Sequence, residues 1–194
     1  MSNTVQKSQD IHDVIHERRS MGVLNEPAPN AEQLNKAFHA AWVAPDHRRL
    51  KPTRFVVISA EQRTAFAECL VESYIHEHGA DDQVQIERIR QQPLRAPMII
   101  LALTKIQAHD KVPSYEQLLS SGAAVQNLLL SLHAQGFASM WRSGELAESA
   151  HLKATFALEA QDYIAGVIYV GSTDRVLPAR DDAMSADFIQ YWTP

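Results

Sequence analysis

Between Asp10 and Arg19 the apolar residues Ile11, Val14 and Ile15 fall on one stripe of a helix. A second stripe, Leu34, Ala37, Phe38 and Ala41, runs through Glu32 to Val43, with Asn30 placed to cap the helix start. Phe55 to Ser59 is β-branched and predicts a strand, after a cation-rich loop bracketed by Pro45 and Pro52. Ala60 to His78 predicts a long helix stopped by Gly79, and Gln83 to Gln92 a further one. Met98 to Leu103 is apolar throughout and too short for an independent helix, which predicts a strand covered on both faces. Ser114 to Ala134 is the longest helical pattern, begun after Pro113 and ended at Gly136. A short strand over Ala138 to Arg142, one or two helices over Glu145 to Phe156 and a strand over Tyr163 to Gly171 complete the pattern. From Ser172 the chain is an extended tail with an aromatic end at Phe188, Tyr191 and Trp192. Helices and strands interleaved in this way predict one α/β or α+β domain spanning residues 1–194, with helices around a central sheet and residues 1–9 as a flexible lead.

Composition narrows the class. The 194 residues are 45% hydrophobic and 21% charged, enough for a core and not the composition of a disordered chain. The lone Cys69 excludes an intramolecular disulfide and a cysteine-based zinc site, so a reducing, cytoplasmic setting is expected. A formal net charge of -5 argues against a nucleic-acid partner. Met1 to Gln9 lacks the apolar centre of a signal peptide, and Pro97 to Leu103 falls far short of the roughly 20 residues of a membrane helix. A soluble protein without a membrane partner is the expectation.

Familiar catalytic motifs are missing. The seven glycines form no GxGxxG fingerprint, and Gly166 to Gly171 imitates a phosphate loop only in spacing, with Ser172 where lysine belongs. His12 and His16 imitate a zinc helix, but Asp13 replaces the glutamate and no third ligand follows. No metal is expected, and His76 and His78 read as solvated. Ser143 lies outside a GxSxG elbow, so no side chain is assigned a catalytic role.

Three clusters remain. Arg18, Arg19 and Ser20 end the first helix and could grip a phosphate through forked, charge-assisted hydrogen bonds, although arginines favour helix C-termini in any case. The stretch from His47 to Ala60 has four formal cations and no acid, which suits an anion site or a solvated basic loop equally. In the third, Trp141, Arg142, Ser143 and Gly144 follow a strand into a small-residue turn whose N–H groups could meet a ligand acceptor. Taken alone, Trp141 reads as a core residue.

In this order the clusters resemble the flavin-dependent nitroreductase superfamily, nearest its small single-domain branch. The resemblance runs from about Ile11 to Gly171 and includes Glu26-Pro27-Ala28-Pro29, Ala44-Pro45-Asp46-His47, Pro52 with Arg54-Phe55, Arg95-Ala96-Pro97, Lys111-Val112-Pro113 with Glu116-Gln117, and Gly136-Phe137. It implies an α+β fold with a mainly antiparallel sheet flanked by helices, and a homodimer with FMN at the subunit interface. It also implies Arg18, Arg19 and Ser20 on the ribityl phosphate, His47 and Lys51 approaching the flavin from the same side of the pocket, and Trp141 to Gly144 along the isoalloxazine. NADH or NADPH would deliver hydride, and a nitroaromatic, quinone or similar small molecule would accept electrons in a ping-pong cycle. Dehydrogenation, dehalogenation or an inactive flavin-binding protein are the alternatives on the same fold.

Three departures stand out against that resemblance. Lys51-Pro52-Thr53 replaces a Gln-Pro-Trp element, and Gly22 replaces a basic residue, which would shift phosphate binding toward the loop from His47 to Lys51. Arg175 and Arg180, beyond the matching region, have no assigned role. Within the long helix, Ser120-Ser121-Gly122-Ala123-Ala124 predicts the close approach of another helix, from this chain or a twin.

Overall fold

The computed structural model describes residues 10–178 and 183–193. The expected lead at residues 1–9 and Arg180 lie outside the described residues. Six α-helices and four strands follow the sequence pattern closely: α1 (Ile11–Glu17), α2 (Ala31–Trp42), β1 (Thr53–Ile58), α3 (Arg63–His78), α4 (Gln83–Gln91), β2 (Met98–Thr104), α5 (Ser114–Ala134), β3 (Ala138–Arg142), α6 (Ala150–Thr155) and β4 (Tyr163–Gly171). The strands form one antiparallel sheet in the order β1-β2-β4-β3.

Local chemistry sets the boundaries. Asp10 caps α1 through the His12 N–H, and Asn30 and Gln33 form a reciprocal capping box at the start of α2. The span expected to be helical over Glu145 to Phe156 divides into a 3-10 turn (Glu145–Glu148) and α6, because Ser149 caps a new helix start through the Leu152 N–H. β1 begins two residues earlier than its β-branched run, since Thr53 and Arg54 pair with Thr104 and Leu103.

β2 is buried along its whole length and divides its side chains between two cores. Ile99, Leu101 and Leu103 meet α3, α4 and α6 on one face, while Met98, Ile100 and Ala102 meet α2 and α5 on the other. A bulge in β4 leaves Ala165 without a partner, between the pairs Ala102–Gly166 and Leu103–Ile164. At the end of α5, Gly136 takes φ +87°, a conformation that favours glycine, and turns the chain into β3. β3 therefore becomes an edge strand lying beside α5.

Small residues on α5 mostly serve its own chain. The Ser120 hydroxyl donates to the Pro45 carbonyl at 2.7 Å, Ser121 and Thr53 share a hydrogen bond of 2.9 Å, and Ala124 is buried against α2 and the sheet. Gly122 differs, because a methyl there would meet only Trp141, at 3.9 Å. Among the described residues, no helix is long and apolar enough to cross a membrane.

Candidate active site

The residues singled out in sequence lie along α5. At its C-terminal end, the segment after α1 reaches the edge of β3: Ser20 bridges Ser139, and the Met21 N–H donates to the Ser139 carbonyl at 3.1 Å. A cavity of about 460 Å³ opens here, lined by Glu17, Arg19, His133, Phe137, Thr173 and Arg175 among others. Three buried polar atoms of this region have no hydrogen-bond partner among the described residues: Arg19 Nη1, His133 Nε2 and Ser139 Oγ. Burial holds the His133 imidazole below its ordinary pKa, with Glu17 opposing and Arg18 adding to the shift. Buried polar atoms are usually satisfied, so Arg19 Nη1 and the Ser139 hydroxyl are available to donate to an acceptor, while the role of His133 Nε2 follows its tautomer. The sequence singled out Arg19 and included Ser139 in the third cluster without a role, but gave no sign of His133, and Arg175 lay beyond the matching region.

Trp141 sits near the middle of α5 and is more open than a core residue, at 37% exposure. Its indole N–H donates to the Ala165 carbonyl at 2.9 Å, so the β4 bulge supplies its acceptor. Gly166 is the floor of that seat, since a methyl there would overlap the indole Nε1 and Cδ1. Arg142 turns to the other face of the sheet, where it lies 5.4 Å from the Tyr169 ring and donates to its hydroxyl at 3.3 Å. Ser143 and Gly144 are exposed in the turn that follows.

At the N-terminal end of α5, the cation-rich loop is pinned by its own chain. His47 Nδ1 lies 2.6 Å from Glu116 Oε2, and Lys51 Nζ donates to the Trp42 carbonyl at 2.7 Å while lying 4.5 Å from the Trp42 ring. The Lys51 N–H donates to Asp46 at 2.7 Å, and Gln107 donates to the Leu50 carbonyl at 2.6 Å. These bonds hold Arg48, Arg49 and Lys51 at φ of +60°, +56° and +51°, a region costly for side-chain-bearing residues.

The structure separates two clusters that the sequence had placed together. Glu116, which holds His47, and His133, beside Arg18 and Arg19, are 17 positions apart on α5, or about 25 Å at 1.5 Å per residue. Within one chain, His47 and Lys51 lie too far from Arg18 to Ser20 to share a phosphate with them.

The other histidines lie apart from this cluster. His12 and His16 are exposed on α1, and no group of three or more metal-ligating side chains occurs among the described residues. His76 and His78 are exposed as expected, with His78 3.1 Å from Glu145 and against Tyr74, and His76 against His151.

A four-stranded antiparallel sheet between helical layers, with a buried guanidinium N–H of Arg19 left unpartnered among the described residues near β3, defines an α+β protein with a cationic donor open beside a strand edge. Solved structures share the fold: a nitroreductase-like family protein from Bacillus cereus (TM-score 0.85, 19% identity, 97% of this chain and 98% of that one) and a nitroreductase with bound FMN from Bacteroides fragilis (TM-score 0.71, 15% identity, 95% and 100%). The Nitroreductase family model matches residues 15–172, and the chain belongs to that family of oxidoreductase enzymes. It is 40% identical over 163 residues to the Escherichia coli protein named "Putative NAD(P)H nitroreductase YdjA", covering 84% of this chain and 88% of that protein. A Haemophilus influenzae protein named in the same way, without a gene label, is 37% identical over 158 residues, covering 80% and 84%.

Proposed function

We propose that the protein is an FMN-dependent oxidoreductase that takes hydride from NAD(P)H and reduces nitroaromatic, quinone or related acceptors by a ping-pong mechanism. The observation that carries this reading is the set of orphaned donors at the start of β3, Arg19 Nη1, His133 Nε2 and Ser139 Oγ, beside the 460 Å³ cavity. These donors fit a phosphate monoester. Arg18, Arg19 and Ser20 hold that end, with Arg175 adding a second guanidinium to the cavity wall. From Ser139 the strand runs about 13 Å to Ser143, which leads from the phosphate end to a ring bordered by Trp141, Arg142, Ser143 and Gly144.

FMN supplies the hydride and electron chemistry when bound. The chain binds and orients. Trp141, fixed by Ala165 and Gly166, would border the ring, and main-chain N–H groups at Ser143 and Gly144 would stabilise negative charge on the reduced flavin. No side-chain acid or base is required of the chain.

His47 and Lys51 complete the site from a second subunit, since about 25 Å of α5 separates them from the phosphate end of their own chain. Exposed apolar residues support a twin at this face: Trp42 and Val43 at the end of α2, and Tyr115 and Leu119 on α5. NADH or NADPH and the acceptor then use one pocket over the flavin in turn.

The test is to purify the protein, denature it and chromatograph the released chromophore. FMN is expected, with bleaching of the visible band by NADH or NADPH and its return on adding a nitroaromatic or quinone. FAD, or a colourless protein that ignores added FMN, overturns the reading. Because FMN binds the native state and not the unfolded chain, free FMN at 100 times its Kd raises stability by about 2.7 kcal/mol per independent site.

A further inference from the structure

Arg142 also borders a second cavity, on the face of the sheet opposite α5. This chamber of about 250 Å³ lies between α3, α4 and the sheet, with walls that include Phe66, Leu70, Ile89, Ile99 and Leu152. Its polar side chains include Gln85, Gln92, Ser143 and Glu145 besides Arg142 and Tyr169. The one hydrogen bond of the Arg142 guanidinium among the described residues goes to the Tyr169 hydroxyl at 3.3 Å, and the nearby Glu145 carboxylate is occupied by His78 at 3.1 Å. Tyr169 is only 2% exposed, and its hydroxyl accepts from Arg142 but donates to no described residue. Burial raises the phenol pKa, so the hydroxyl keeps its proton and remains a donor.

A guanidinium with unused N–H groups and a buried O–H without an acceptor therefore face one apolar chamber. An acceptor that satisfies both is an oxyanion, and a carboxylate matches the planar fork of Arg142. The apolar walls, with Phe66 and Tyr74 among them, favour a flat hydrocarbon body. The chamber is smaller than the roughly 300–1,000 Å³ pockets that take drug-sized ligands, which limits the body to a single ring. We propose that this cavity binds a small single-ring aromatic monocarboxylate, with Arg142 and the Tyr169 hydroxyl holding the carboxylate and Phe66, Leu70 and Ile99 enclosing the ring. Binding in the chamber does not need flavin. Its influence on the flavin, through Arg142 to Gly144, rests on the function proposed above.

The probe is 4-fluorobenzoate, followed by fluorine NMR and equilibrium dialysis on protein with and without FMN. Saturable binding below the millimolar range is expected in both states. Tyr169→Phe removes one hydrogen bond to a charged group and weakens binding roughly tenfold to a hundredfold. Leu70→Trp fills the chamber and abolishes binding, which provides a second variant if Tyr169→Phe does not fold. The neutral 4-fluorotoluene and inorganic phosphate each bind far more weakly than 4-fluorobenzoate. Equal affinity for 4-fluorotoluene, no saturable binding, or unchanged binding in both variants overturns the proposal. So does binding confined to the FMN-loaded protein and displaced by NADH, because it places the probe over the flavin. Binding of 4-fluorobenzoate by a protein that takes no FMN leaves this site standing and overturns the flavin reading alone.

Discussion

Lys51, beside His47 at one end of α5, and Arg19 at the other are alike in sequence, each a cation next to other basic residues. In the structure they are in opposite states. His47 is held by Glu116 and Lys51 by the Trp42 carbonyl and ring, so both side chains are engaged before any ligand arrives. Arg19 presents a buried Nη1 with no acceptor, beside an equally unpartnered His133 Nε2 and Ser139 Oγ. A cation already paired within its own chain gives up a bond to take a ligand, whereas an orphaned donor gains one. On the function proposed above, anion affinity is expected to concentrate at the C-terminal end of α5, with the loop from His47 to Lys51 as a wall held by its own bonds.

The largest test of this contrast is Arg18→Ala. Losing a charge-assisted hydrogen bond to phosphate is worth about 1.5–3 kcal/mol, so FMN affinity is expected to fall roughly tenfold to a hundredfold. Arg90→Ala, which removes an arginine paired with Glu68 and Glu87 far from the site, leaves FMN affinity unchanged. Similar Kd values for the two variants by fluorescence titration would break the comparison at its stronger end.

Gly122→Leu asks whether the two ends of α5 meet across subunits. Within the chain a methyl at Gly122 meets only Trp141 at ordinary contact distance, so damage to assembly points to a twin. The expected result is a monomer mass by light scattering and FMN affinity reduced roughly tenfold as the second subunit's loop is lost. A dimer with unchanged affinity would instead place the interface elsewhere. In the unaltered protein, a melting temperature independent of protein concentration would reject the shared site.

Lys51→Met sharpens the weaker end. Its ammonium already serves Trp42, so the expected change in FMN affinity is about threefold or less, the net worth of one ordinary hydrogen bond. A loss as large as that of Arg18→Ala would show that Lys51 leaves Trp42 for the ligand.

The smallest effect expected is the pH dependence of the FMN-free protein. His133 is held below its ordinary pKa by burial, so as pH falls through the usual histidine range, about 6.5, the unfolded chain takes up the proton first. Stability then declines toward acid until the folded protein also binds the proton, while above that range the group contributes nothing to the slope. His133→Gln flattens this part of the profile in urea titrations. Bound phosphate does the same in the unaltered protein by favouring the charged imidazole. A wild-type profile as flat as that of His133→Gln would show that His133 is not the buried group the structure describes.

Much of the architecture was present in local sequence because its causes are local. The stripe through Leu34, Ala37, Phe38 and Ala41, the Asn30 cap, the apolar run of β2 and Gly136 at the end of α5 each specify an element from neighbouring residues. Arg18 to Ser20, His47 and Trp141 to Gly144 were recognisable as ordered pieces of a family pattern. Other features depend on contacts between distant residues. Trp141 seemed a core residue because nothing in its own segment shows that the Ala165 bulge and Gly166 form its seat from another strand. The pairing of His47 with Glu116 spans 69 positions, and His133 resembles any histidine near a helix end until the Arg19 and Arg175 segments close around it. Sequence by itself determined the elements and the family, since periodicity, caps and motifs act over a few residues. Only the tertiary structure decided which cations are satisfied and which are left open, because a hydrogen bond depends on where its partner lies in space.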